Sequence, residues 1–135
     1  SASSSAGTTK PPPGGTYDES GVVPVDEQLK DPGSLLNFYK SVLDLKRRYP
    51  ALARGTYASI TAPDRSVLAF SDTYQGATVY VLENLDSVAH VESLDGLGLP
   101  ASVRIRATLL TGAGPAPSLS GGQLSLPPSS VALLQ

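Results

Sequence analysis

From Gly55 onward the chain changes character every few residues, and this rhythm limits the folds open to it more than any other feature. TYASI (56–60), SVLAF (66–70) and TVYVLENL (78–85) are short and rich in β-branched and aromatic residues. Turn signals at Ala62-Pro63-Asp64 and Gln75-Gly76 divide them, as expected of strands. SVRIRATLL (102–110) alternates Val103, Ile105, Ala107 and Leu109 with Arg104, Arg106 and Thr108, predicting an antiparallel strand with one buried face. QLSLPP and SSVALLQ predict closing strands, and TGAGPAPSLSGGQ (111–123) reads as a long polar loop. With no second helical pattern among them, these segments predict a mainly β fold. The expectation is an antiparallel β-sandwich or barrel-like sheet of about six to eight strands over 51–135.

Ahead of the strands stands DPGSLLNFYKSVLDLKRRYPAL (31–52), which predicts one amphipathic α-helix from about Pro32 to Arg48 within a segment 31–50. Asp31 is suited to the N-cap, and Pro32 to the first helical position, where its missing N–H has no partner to lose. Lys46, Arg47 and Arg48 suit the negative end of the helix dipole, and Pro50 stops the helix. At about 100° per residue, Leu35, Leu36, Phe38, Tyr39, Val42, Leu43, Leu45 and Tyr49 fill an arc about 180° wide, where a one-sided surface helix needs little over 100°. Asn37, Lys40, Ser41, Asp44, Arg47 and Arg48 form the wet side. Half the helix therefore needs cover. The strip Leu35, Phe38, Val42 and Tyr49 is the predicted interface, to be covered by residues 16–30, by another copy of the chain, or by a part of a larger protein.

Residues 1–15 are small, polar and Pro/Gly-rich, which predicts a mobile stretch. Residues 16–30 add Tyr17, Val22, Val23 and Val25, so the whole of 1–30 reads as an extended arm whose second half straps onto a surface. At 135 residues the chain has room for one domain. A chain that contains no methionine and begins at Ser1 reads as a piece processed or excised from something longer.

Charge excludes some partners. The net charge is -2 and charged residues are 16% of the chain, with Lys46-Arg47-Arg48 the one basic run, so nucleic acid is not an expected partner. Membrane insertion by this segment is not expected either, since no apolar run has transmembrane length. The absence of cysteine removes thiol chemistry and leaves the compartment open.

Catalytic signals are sparse. The acids sit singly or in turn-like pairs, Asp18-Glu19 and Asp26-Glu27, which read as solvated turns. His90 is the one histidine, and VAHVES lacks the glycine-flanked serine of a nucleophile elbow. DGLGLP (95–100) lacks the strand-to-helix setting and Lys-Ser/Thr ending of a phosphate loop, and reads as a turn. No catalytic residue, metal site or cofactor is predicted.

Three stretches resemble the C-terminal end of α-amylase superfamily proteins, closest to oligosaccharide α-glucosidases and maltases. DPGSLLNFYKSVLDLKRRYPALARGTY is similar to the last helix of the family's catalytic barrel and its exit, which ends H/Y-P-A-L-x-x-G-x-Y. TVYVLENLDS resembles a strand ending V-L-N-F-S, with Asn84 and Leu85 at the Asn-Phe pair, and LSLPPSSVALLQ resembles the closing L-P-P-x-x-x-V-V-L strand. SAGTTKPPPGGTY is similar to a Lys-Pro-Trp-Leu-Pro-type run near the maltase cleft, but departs from it by placing Pro12 and Pro13 at Trp-Leu. The resemblance implies a helix packed between barrel and C-terminal sandwich, with the rest of the parent protein as partner. It also implies that the catalytic Asp, Glu and Asp lie upstream, leaving this chain without activity of its own.

A second branch, the ectodomains of amino-acid transporter heavy chains, is resembled by YDESGVVPV, DPGSLL and GLPASVRIR, whereas Tyr49-Pro50-Ala51-Leu52 favours the maltases. A free-standing carbohydrate-binding sandwich is the third possibility. The absence of tryptophan counts against it.

Overall fold

The structure, a computed structural model, describes residues 23–110 and 114–135. The expectations for residues 1–15, for 16–22 and for the start of the 111–123 loop, residues 111–113, lie outside these. The described residues form three helices, α1 (Val25–Lys30), α2 (Leu35–Arg48) and α3 (Ala51–Arg54), and eight strands. The strands are β1 (Thr56–Ile60), β2 (Val67–Tyr74), β3 (Ala77–Asn84), β4 (His90–Ser93), β5 (Ile105–Leu110), β6 (Ser118–Ser120), β7 (Gln123–Leu126) and β8 (Ser130–Leu134).

All strand pairs are antiparallel, in a five-stranded sheet of order β1-β2-β3-β8-β5 and a three-stranded sheet of order β4-β7-β6. Val67, Ala69, Leu82, Ala132 and Leu134 of the larger sheet bury against Leu124 and Leu126 of the smaller. Leu94, Leu97, Leu99 and Val103 from the connection between β4 and β5 complete this core. The fold is thus an antiparallel β-sandwich. The opposite face of the larger sheet carries a second cluster, in which Ala51 packs with Val79 and Leu133, flanked by Tyr49, Leu52, Tyr74 and Ala107.

Two tight hairpins set the register. Gln75 and Gly76, both at positive φ (50° and 79°), join β2 to β3 with two residues, the geometry that matches strand twist. Gly121 and Gly122 (φ 56° and 76°) do the same between β6 and β7. The second hairpin corrects the reading of 111–123 as loop throughout, because Ser118–Ser120 is a strand. Its short span and single inward Leu119 gave too little alternation to detect.

β5 departs from the predicted single buried face. A register shift between Ile105 and Ala107 bulges the strand, so Val103 and Ile105 face the sandwich core while Ala107 turns to the helix side.

The helical approach differs in three respects. Residues 25–30, read as extended strap, form a short helix that brings Asp26 and Glu27 into its first turn. α2 starts at Leu35 with Ser34 as N-cap, its hydroxyl accepting from the Asn37 N–H at 3.3 Å. Asp31 caps no helix start; its carboxylate accepts from the Gly33 N–H at 2.9 Å and holds the turn between α1 and α2. Asn37, assigned to the wet side, is half-buried, and its amide donates to the carbonyls of Gln28, Leu29 and Asp31 at the end of α1. Those carbonyls are among the ones a helix end leaves without partners.

Candidate functional site

The wide apolar arc of α2 divides between two directions. Phe38, Val42, Leu45 and Tyr49 are half-buried. Tyr49 joins the cluster of Ala51, Val79 and Leu133, and Phe38 faces Thr108, Leu109 and Leu110 of β5 across an open groove. Leu35, Tyr39 and Leu43, one turn apart and rotated by roughly 90° on the helix wheel, stand in solvent, 66%, 58% and 65% exposed. Of the predicted interface strip, Leu35 belongs to the bare side and lines the rim of the Phe38 groove. Phe38, Val42 and Tyr49 lie on the sandwich-facing side or its margin. No residue of α2 is fully buried.

The sheet beneath repeats this incompleteness. On its helix side the register sets Tyr57, Leu68, Phe70, Asp72, Val79, Val81 and Leu133 on one face. α2 and α3 lie over the β3, β8 and β5 part, where Val79 and Leu133 are buried. Toward the β1 edge, Tyr57 and Phe70 stack with ring centroids 5.4 Å apart, yet Tyr57 remains 59% exposed. Leu68 is exposed as well. The smaller sheet differs in kind: the register that points Leu119, Leu124 and Leu126 inward sets Ser93, Ser118, Ser120, Gln123 and Ser125 on the opposite, outer face, with Val91 the one apolar member. One side of the domain is finished for water. The other is not.

Polar groups are arranged to hold loops. Asn84, 1% exposed, donates to the carbonyls of Val88, Leu126 and Pro127 and accepts from the Asp86 N–H, joining the exit of β3 to the β7–β8 corner. His90 lies between Asp64 and Asp86, 2.6 Å from the first through Nδ1 and 3.2 Å from the second through Nε2. Arg47 and Arg48 reach back one turn to Asp44, whose carboxyl falls below its ordinary value chiefly through the bond from Arg48. Among the described residues no group of three or more His, Asp or Glu side chains is placed to hold a metal.

An antiparallel sandwich with a helical approach and one unfinished apolar side is the class of domain these features define. No protein-family model matches the chain. In sequence it is 32% identical over 66 residues to α-amylase 3 of Dictyoglomus thermophilum, covering 49% of this chain and 13% of that protein. It is 33% identical over 60 residues to oligo-1,6-glucosidase of Halalkalibacterium halodurans, covering 44% of this chain and 11% of that enzyme. Among solved structures, Eubacterium rectale Amy13B superposes with a TM-score of 0.79 at 28% identity, over 91% of this chain and 24% of its own. Trehalulose synthase MutB of Pseudomonas mesoacidophila shares the fold, with a TM-score of 0.63 over 83% of this chain. These similarities support a C-terminal segment of an α-amylase superfamily protein, and the chain spans only 11–13% of the length of the relatives matched in sequence.

Proposed function

We propose that this segment is the non-catalytic C-terminal part of an α-glucosidase- or maltase-like glycoside hydrolase of carbohydrate metabolism, and that it packs against and stabilises the catalytic barrel. The observation behind this reading is the asymmetry of the domain. The small sheet presents a serine-rich face to water, while the helix side leaves Leu35, Tyr39, Leu43, Tyr57 and Leu68 exposed. Burying the three α2 side chains alone is worth about 3–5 kcal/mol, which makes that side the place for a large apolar partner. The similarity to an α-amylase and an oligo-1,6-glucosidase supports the glycosidase branch over the transporter heavy chains.

The test is to express the parent barrel separately and add this chain. Unaltered chain is expected to co-elute with the barrel and raise its melting temperature, and a Tyr39→Asp/Leu43→Asp chain to keep its β-rich circular dichroism while losing both effects. The chain alone is expected to hydrolyse neither maltose nor an aryl α-glucoside. Turnover by the repurified chain, or equal barrel binding by the double variant, would overturn the reading.

A further inference from the structure

The clamp around His90 joins two loops to the start of β4, and its geometry permits only one protonation state to satisfy it fully. Asp64 sits in the β1–β2 loop, Asp86 in the β3–β4 loop, and His90 opens β4 of the smaller sheet. A neutral imidazole has one N–H and one lone pair, so one of its nitrogens would face a carboxylate oxygen with nothing to share. The imidazolium donates from both. Glu92, the other acid on this side of β4, is buried and accepts the Asp64 N–H at 3.2 Å, so it fixes the loop that carries Asp64. The same loop is tied by the Ser66 N–H to the Asp64 carboxylate at 2.8 Å, and the β3–β4 loop by the Ser87 N–H to Asp86 at 2.6 Å. Each carboxylate is therefore held in place by its own loop and offers its remaining oxygen to the ring.

We infer that His90 is a protonation-controlled latch that ties the β1–β2 and β3–β4 loops together across one end of the sandwich. When the ring loses a proton, one of the two ties is lost and the loops separate more readily from each other.

The charge environment agrees in direction. Burial pushes the His90 value down, but the bond to Asp86 and the charge and bond of Asp64 outweigh it and raise it. Asp64 is lowered chiefly by the Ser66 N–H and Asp86 chiefly by the Ser87 N–H, each with help from His90. A raised imidazole value means that its stabilising contribution is complete below the ordinary value of about 6.5 and is lost as pH rises through the raised one. Lowered carboxylates contribute fully above about 3.9 and lose this as pH falls through their lowered values. The latch is tightest between about pH 4 and 6.5.

Because His90 is the one histidine in the chain, its imidazole proton resonances need no assignment by mutation. The experiment is an NMR pH titration of the 135-residue chain, paired with backbone amide exchange of residues 61–66 and 85–89 across the same range, corrected for intrinsic rates. The titration midpoint is expected above the free-imidazole value and to fall in Asp64→Asn and in Asp86→Asn. Exchange in both loops is expected to rise by about threefold or more as pH passes that midpoint. His90→Gln is expected to leave loop exchange high at all pH. A midpoint at or below the free value, or loop exchange indifferent to both pH and the asparagine variants, would overturn the latch.

Discussion

Replacing Asn84 should reveal how much of the sandwich depends on one buried amide. Its Nδ2 lies 2.8, 3.0 and 2.9 Å from the carbonyl oxygens of Val88, Leu126 and Pro127, and its Oδ1 accepts from the Asp86 N–H at 2.8 Å. In Asn84→Ala, Pro127 O keeps the Ser130 hydroxyl at 2.6 Å, and Val88 stands where water reaches. The Leu126 carbonyl and the Asp86 N–H are left poorest, at about 1–3 kcal/mol each, so a loss near 3 kcal/mol is expected. With a urea slope of about 2 kcal/mol per molar, the midpoint of unfolding moves down by about 1.5 M. Asn84→Asp is the sharper test, because it keeps the acceptor for Asp86 but turns a second carboxylate oxygen, without a proton, toward three carbonyls. At neutral pH it should therefore be worse than alanine despite being the closer isostere. Acidification should narrow the gap as the carboxyl regains a donor. Equilibrium urea unfolding followed by circular dichroism at pH 7 and pH 4.5 measures both. An alanine shift below about 0.3 M, or an aspartate variant as stable as the alanine one at pH 7, would refute the account.

Two further predictions follow from local geometry. A Cβ at Gly55 would lie 2.4 Å from the Ala51 carbonyl oxygen and 3.0 Å from Asp72 Cβ. Although φ there is an ordinary -73°, Gly55→Ala should cost about 1–3 kcal/mol by forcing α3 off the sheet, measurable as a lowered melting temperature. Asn37→Ala removes the amide donors to the end of α1 and leaves only the Ser34 hydroxyl on the Gln28 carbonyl, so amide exchange over 25–30 should rise severalfold while the strands keep their protection.

How far the sequence could foretell this molecule varies with the kind of signal. β1, β3 and β8 are legible because β-branched and aromatic residues fall between strong turn residues, and Gln75-Gly76 forms the hairpin its dipeptide announces. β2 runs to Tyr74, past the predicted end at Phe70, because SDTY has little hydrophobicity of its own and is drawn into the ladder by pairing with β1 and β3. QLSLPP is legible as β7, whereas Gly121-Gly122, the available cue for β6, is masked because Ser118 and Ser120 before it look like loop. The bulge in β5 carries no mark in SVRIRATLL, since unbroken alternation is what a regular strand would show. The buried face changes sides there because β8 pairs differently before and after Arg106.

The helix shows the same limit in its most consequential form. A wheel fixes how much of a helix is apolar, so the excess on α2 can be read without coordinates; it cannot say which third of the arc meets which neighbour. That depends on the angle at which the helix leaves its turn, and here Ser34 as N-cap, the bond of Asp31 to Gly33 and the grip of Asn37 on α1 set that angle. The outcome directs Tyr49 to the sheet and leaves Leu35, Tyr39 and Leu43 bare. A partner-facing strip chosen from the sequence as Leu35, Phe38, Val42 and Tyr49 therefore straddles two surfaces. Phe38→Asp alters the groove against β5 as well as any outward contact, whereas Leu43→Asp and Tyr39→Asp change exposed side chains, Tyr39 giving up only an edge contact with the Phe38 ring, which makes them the cleaner probes of a docked barrel.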